Sequence, residues 1–426
     1  MSGAATPGRR GPAGERAGRP APVDGAARHL RLVAGQAAAP GPVPLRSRLG
    51  LPSTRTRLVA VVTALCAVGT VMVLSASAYT SLVDYGSVWS IFLRQMLWMA
   101  LAVGALTVCS RVPYQRWRRF TTVLLLGTVV LLLAVLVPGL GDSAGGASRW
   151  IGFGQVRVQP SELMKLAIAL FAADLLARRS DRLERTGAVV VPLVVVLGFT
   201  SLLVLLQPDL GTAVVLACVA FGCLFAAGVP ARTVTAWIGG SSALAAAAAL
   251  AVPYRRARLL SFINPMAHRL TSGYQVVQSL VGISSGRLFG MGLGNGHTKW
   301  GLLPNPHTDF IFSVIGEETG LVGAVLVIAL FAALAMLGFR VASRAPDRYG
   351  ALLATAITCW LTAEAVINVG AVIGVLPVTG IPLPFVSFGG SSLIVVMAGT
   401  GILLNIAATE RQPPGAGTLG ARRVRP

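Results

Sequence analysis

The chain is a succession of apolar runs, each about as long as a helix needs to cross a ~30 Å hydrocarbon core, roughly 20 residues. They lie near Leu58–Ala78, Val88–Val108, Thr121–Val137, Glu162–Ala177, Ala188–Leu206, Thr212–Ala227, Thr233–Val252, Phe310–Phe339, Gly350–Ile373 and Phe385–Ala407. The pattern predicts an all-α, polytopic integral membrane protein with about ten transmembrane helices. The fourth is short, and the eighth is long enough to tilt or protrude. Polar residues are concentrated instead in one stretch, Gly273 to Glu318, which runs from a large loop at 253–309, between the seventh and eighth spans, into the start of the eighth. Polar groups are costly against hydrocarbon, so this stretch marks a working site at a bilayer surface.

Composition agrees: 54% of residues are hydrophobic and 12% charged, which excludes a soluble globular chain. The net charge of +21 raises the question of nucleic acid, but its distribution answers it. Ten arginines fall in residues 1–57 against Glu15 and Asp24, and others cluster at Arg111–Arg119, Arg178–Arg185, Arg340–Arg348 and Arg422–Arg425. Basic alternate loops and basic ends are the positive-inside signature, so both termini are expected in the cytoplasm and no nucleic-acid partner is implied. Residues 1–57 read as a disordered basic tail with no cleavable signal, 58–407 as the membrane domain and 408–426 as a second basic tail. The five cysteines lie in or at the ends of apolar spans without CxxC or Cys/His spacing, so neither disulfides nor zinc are indicated.

Two loops on the expected outer face break the charge rule. The 138–161 loop carries Arg149 and Arg157. The 253–309 loop carries Arg255, Arg256, Arg258, Arg269, Arg287 and Lys299, with His268, His297 and His307. An anionic ligand such as a phosphate or pyrophosphate head group would account for them, as would ordinary headgroup contact. Lys165 and Lys299 are the only lysines among 36 basic residues, which suggests that both positions need a compact ammonium.

Several polar constellations interrupt the apolar runs. In Gln159–Lys165, Ser161 can cap the fourth helix, while Glu162 and Lys165 share a face and can pair, lining a cavity or merely fixing the helix start. In Gln207–Thr212, Asp209 can cap the next helix or face that cavity. Glu364 and Asn368 lie one turn apart in an apolar span, and Glu364 needs a partner that spacing alone does not identify. The run Gly290–Gly296 has GxGxxG-like spacing but no preceding strand, so a dinucleotide site is not indicated; its backbone N–H groups could approach an anion. Asp309 is the only acidic residue of the 253–309 loop, placed either as a base among cations or as the cap of the eighth helix.

At these residues the chain resembles the SEDS family (shape, elongation, division and sporulation), the FtsW/RodA peptidoglycan polymerases. The matching elements are Arg94-Gln95, Ser148–Ile151, Gln159–Lys165, Gln207–Thr212, Gly273–Ser279, His307–Glu318 and the stretch around Pro382–Ser392, in order across 58–407. The resemblance implies a peptidoglycan glycosyltransferase, an inverting hexosyltransferase that polymerises lipid II on the outer leaflet. It implies Asp309 as the catalytic base. It further implies substrate contacts from Arg149, Glu162, Lys165, Asp209, Arg269, Gln275, Gln278, Lys299, His307, Thr308, Glu317, Glu318, Ser391 and Ser392. No resident metal or cofactor is implied with certainty; a divalent cation, Mg²⁺ or Mn²⁺, held partly by Asp309 is an alternative to basic side chains for the departing pyrophosphate. Polyprenyl tails would lie in grooves between helices. The implied partners are a cognate class B penicillin-binding protein and other divisome proteins at the septum. Lys299 and the run Val378–Gly390 favour the FtsW-like branch over a RodA-like elongation role. A lipid II flippase, kept open by Glu364 and Lys165, and a non-catalytic scaffold are the competing readings.

Overall fold

In a computed structural model the described residues are 52–410, excluding 139–140, 145–146, 154–155, 181–185, 252–255 and 258–260. The expected tails, apart from their innermost residues, and Arg255 and Arg258 lie outside them. Ten long helices follow the apolar runs: α1 (Thr54–Tyr85), α2 (Ser90–Arg111), α3 (Tyr114–Leu136), α4 (Pro160–Arg178), α5 (Thr186–Leu206), α6 (Leu210–Ala227) and α7 (Ala231–Ala251). After the short α8 (Tyr274–Ser285) come α9 (Ile311–Arg344), α10 (Arg348–Val372) and α11 (Gly390–Ala408). Eight of these are long and apolar enough to cross a membrane. The other two, α4 and α7, stand where the fourth and seventh spans were expected. Exposed apolar stripes such as Leu93, Leu97 and Leu101 on α2 then face lipid rather than water.

Local chemistry sets the helix ends. Ser53 caps α1 by accepting from Thr56 N at 3.1 Å, and Asp347 caps α10 by accepting from Gly350 N at 2.8 Å. Pro160 opens α4, where its missing N–H costs nothing. Two features depart from the all-α expectation and from the reading of long plain loops. The 138–161 loop holds a small antiparallel sheet, β1 (Asp142–Ala144), β2 (Ala147–Phe153) and β3 (Val156–Val158). Its alternating Ser148-Arg149-Trp150-Ile151 and Val156-Arg157-Val158 suit strands better than coil. The 253–309 loop contains α8, whose buried face is Val276, Ser279 and Gly282.

Helix alternation puts the loops after α1, α3, α5, α7 and α10 on one side, here the loop face. The opposite face is tied by Arg118 to Asp174, by Asn405 to Tyr114 N and by Arg348 to Ala227 O. Buried α4, α10 and α11 form the middle of the bundle.

On the loop face α9 is broken at Gly320, whose φ of 69° and ψ of −166° lie where only glycine is at ease. The break separates Leu321 N from Glu317 O and Val322 N from Glu318 O, the pairs a continuous helix would join. The loop strand fills the gap. Leu321 N donates to Arg287 O at 2.9 Å and Val322 N to Leu288 O at 3.2 Å, while Met291 N and Gly292 N donate to Glu317 O and Glu318 O at 3.0 and 3.1 Å. Two lost helical bonds become four bonds to the loop. Glycine permits the approach: a Cβ on Gly290 would collide with the Glu318 carbonyl, and one on Gly320 with Gly290 N. A Gly320→Ala chain should therefore be destabilised by about 2–5 kcal/mol. A thermal midpoint in detergent equal to that of the native chain would contradict the splice.

Candidate functional site

The splice places two carboxylates. Glu317 accepts from His297 N at 2.7 Å, from Thr298 N at 3.3 Å and from the Thr298 hydroxyl. Glu318 accepts from Gly294 N at 3.1 Å, from Ser75 Oγ at 2.7 Å and from Lys299 Nζ at 2.6 Å. All three charged side chains are at most 4% exposed. The glycine-rich run does bring a backbone N–H, that of Gly294, to an anion, and the two residues after the run serve a second one; the anions are the chain's own pair of glutamates. The compact ammonium of Lys299 likewise has an internal partner.

Half-helix 311–319 carries this anchoring to Asp309, two residues ahead of it. The residue at the cap position is Phe310, so Asp309 is not the cap residue of α9. Its backbone oxygen accepts from Asn368 Nδ2 at 2.9 Å, and Asn368 also donates to Ile381 O at 2.7 Å. Ser387 Oγ donates to Thr308 O at 2.6 Å, and Phe388 N donates to His307 O at 2.9 Å. The half-buried Asp309 carboxylate lies over Gly380, where a Cβ would stand 3.6 Å from Oδ2. The neighbouring Thr379 and Ile381 pack against Gly211 at the start of α6.

That contact joins Asp309 to the Asp209 network. Asp209 caps α6, accepting from Thr212 N at 3.0 Å and Thr212 Oγ1 at 2.8 Å, as its spacing suggested. Oδ2, the oxygen that takes the Thr212 hydroxyl, also faces Gln159 Nε2 at 3.3 Å and Ser161 Oγ at 3.4 Å. Ser161 is not the cap of α4, which is Gln159 without a side-chain bond; the Ser161 hydroxyl serves Asp209 instead. Ser391 Oγ accepts from Gln159 N at 3.3 Å, linking α11. Arg149 braces the turn, donating to Gln207 O at 2.8 Å and Pro208 O at 2.5 Å. One turn deeper, Lys165 bonds Glu162 at 2.7 Å and also pairs with Glu364, the partner that spacing could not identify.

Of the remaining expected contacts, Gln275 and Gln278 are half-buried on α8, Ser392 is half-buried at the start of α11, and Arg269 is exposed beyond the turn Met266–His268. Ser75, Thr298, Asn368 and Ser387 hold the site together and were not read from sequence as doing so. A single Ser or Asn inside an apolar run carries no signal of its partner.

His307 packs edge-on against Phe388, with ring centroids 5.6 Å apart, and its Nδ1 is buried without a hydrogen bond. Burial pulls its pKa down to about 4, against a smaller upward pull from Asp84. The unfolded chain, with histidine near 6.5, binds the proton first, so this group costs stability as pH falls from about 6.5 towards 4. A His307→Asn chain should lose less stability across that window, by about 1–3 kcal/mol. Parallel midpoint-against-pH curves for the two chains would contradict the assignment. Lys165 is the one cation paired with two buried carboxylates, so Lys165→Met should cost about 3–5 kcal/mol, while Glu364→Gln leaves a one-to-one pair and should cost clearly less. Equal midpoints for the two variants would refute this charge arithmetic.

Comparison with known proteins places the whole membrane unit. A family model described as "Cell cycle protein", for FtsW, RodA and SpoVE, matches residues 55–412. A probable peptidoglycan glycosyltransferase FtsW of Geobacter metallireducens is 38% identical over 351 residues, covering 82% of this chain and 94% of that protein. The Mycobacterium tuberculosis protein of the same description is 40% identical, covering 91% and 75%. Stage V sporulation protein E of Bacillus subtilis is 38% identical, covering 83% and 97%. Among solved structures, a chain of a peptidoglycan synthase complex that coordinates polymerization and crosslinking superposes with a TM-score of 0.66 at 30% identity, over 84% of this chain and 98% of that one. The crystal structure of the rod-shape-determining protein RodA of Thermus thermophilus gives 0.60 at 29%, over 84% and 97%. With nearly the whole described bundle matched in sequence and in fold, the chain belongs to the FtsW/RodA/SpoVE family of polytopic membrane proteins, the SEDS family.

Proposed function

We propose that the chain is a peptidoglycan glycosyltransferase that polymerises lipid II, with the loop face on the outer side of the cytoplasmic membrane and both termini inside. The observation that carries this reading is Asp309. It is fixed through its backbone by Asn368, stands one residue ahead of the α9 cap, and joins through Gly380 and Gly211 to the Asp209 network. The family names and the synthase-complex fold support it from outside the site.

In this reading the hydroxyl of one lipid-linked saccharide attacks the anomeric carbon of another. Asp309 takes the hydroxyl proton, the new glycosidic C–O bond forms, and the bond to the pyrophosphate oxygen breaks on the opposite side of the carbon. The outcome is inversion, with undecaprenyl pyrophosphate as the leaving group. The exposed cations Arg256, Arg269 and Arg287 of the loop provide charge near the departing anion. Among the described residues no group of three or more His, Cys, Asp or Glu could hold a metal ion, and a divalent cation held partly by Asp309 is the alternative to these arginines for the departing pyrophosphate. A partnership with a class B penicillin-binding protein and other divisome proteins, and a septal role, follow the FtsW-named relatives and the synthase complex. Transport drew its support from Lys165 and Glu364, which pair with each other, Lys165 also holding Glu162.

The test is polymerisation of labelled lipid II by the purified chain with its transpeptidase, against Asp309→Ala. Loss of a general base costs about 10²–10⁴-fold, so glycan ladders should all but vanish while the thermal midpoint holds. Equal ladders from both chains would remove Asp309 from the mechanism.

A further inference from the structure

The segment joining α10 to α11 turns at Gly380, and its sequence, Thr379-Gly380-Ile381-Pro382-Leu383-Pro384, holds that turn still. The prolines fix φ just beyond it. Ile381 and Leu383 are buried, whereas Gly380 is exposed. Several bonds tie this segment to the turn that carries Asp309. Asn368 Nδ2 donates to both Asp309 O and Ile381 O. Ser387 Oγ donates to Thr308 O while accepting from Leu383 N at 2.8 Å, and Phe388 N donates to His307 O. The spacing between Asp309 and Gly380 is therefore set by the bundle and not by either loop alone.

What lies between them is decided by a missing side chain. A Cβ on Gly380 would stand 3.6 Å from Asp309 Oδ2 and would meet nothing else within 4 Å. A hydroxyl that gives its proton to Oδ2 must bring its oxygen to about 2.6–3.2 Å. The carbon behind that oxygen, one bond further out, then falls at about the distance of the absent Cβ. Backbone conformation is a separate demand, and Gly374 on the same segment isolates it. Both glycines have a φ of 74°, but a Cβ on Gly374 would meet only Val276 and Leu280, at 3.6 to 3.9 Å. Only at Gly380 does a side chain reach the carboxylate.

We infer that Gly380 is a specificity-determining residue: its bare backbone leaves the notch beside Asp309 into which the hydroxyl-bearing carbon of the acceptor saccharide fits. The inference rests on the polymerase reading and adds to it the position that sets how bulky an acceptor the base can serve. A ring hydroxyl sits on a carbon with two further carbon neighbours, so it needs more clearance at the base than water does. A methyl group at 380 narrows the notch, and a longer side chain closes it. One methylene more or less in a fitted site changes kcat/KM by about 10–200-fold.

A graded series at 380 in the full-length protein, in nanodiscs with its transpeptidase, tests this against Gly374→Ala as the control for strain. Polymerisation of labelled lipid II gives kcat/KM, and the thermal midpoint gives stability. Asparagine tolerates positive φ better than alanine, so Gly380→Asn should be at least as stable as Gly380→Ala. Activity should run the other way. It should fall about tenfold in Gly380→Ala and about a hundredfold or more in Gly380→Asn, while Gly374→Ala stays within about twofold of the native chain. Activity that follows stability instead, with Gly380→Asn above Gly380→Ala, would make the glycine a backbone requirement and overturn the inference. An equal loss in a folded Gly374→Ala would do the same, as would full activity in both variants at 380. No ladders from the native chain would overturn the proposed function, and the inference with it.

Discussion

Backbone groups freed inside a bilayer have no water to turn to, and at Gly320 the chain frees four of them at once. The polar loop exists in its observed shape because it satisfies all four: Arg287 and Leu288 supply carbonyls, and Met291 and Gly292 supply N–H groups. From that join the rest of the loop follows. The same turn of α9 presents Glu317 and Glu318, which collect the next backbone N–H groups and Lys299, and Lys299 reaches back to Ser75 on α1. Half-helix 311–319 is thus clamped at its far end, and Asp309 is held at its near end by Asn368. A loop of more than fifty residues becomes a rigid mount for one carboxylate.

Charge inside the bundle is settled by the same rule of internal satisfaction. Lys165 lies between Glu162 and Glu364, with no more than a few per cent of any of the three exposed. Asp209 spends its oxygens on an amide, two hydroxyls and a side-chain amide. These groups hold α4, α6, α10 and α11 in register beneath the loop face, and the energetic value lies in not leaving any of them alone. The loop side presents exposed arginines, a half-buried Asp309 and an apolar cavity beside α1. That division suits a reaction whose substrates arrive through the membrane and whose chemistry happens at its surface.

Much of this was legible in the chain. The spans were, because hydrocarbon thickness dictates their length, and so were Asp309, Asp209 and the Glu162–Lys165 pair, because charge beside apolar runs is costly enough to be rare. The strands at 142–158 and helix α8 were not, since short segments in a polar loop carry no period long enough to read. Gly290–Gly296 stood out as unusual, but its purpose depends on Gly320, thirty residues away, and local spacing cannot show a splice between two backbones. Glu364 announced that it needed a partner; choosing Lys165 required knowing that α4 and α10 lie side by side. Asp309 is not the cap residue for a local reason, a helix starting at Ile311, one residue later than the sequence suggested, which leaves the cap position to Phe310.

Hydrogen–deuterium exchange in nanodiscs tests the splice most directly, because it reads the four amides on which the mount depends. Met291 and Gly292 should exchange as slowly as Leu321 and Val322, and the two segments should open together, since each protects the other. Fast exchange at 287–292 beside a protected 317–322 would show a loop lying on the helix rather than completing it, and the rigid placement of Asp309 would lose its basis.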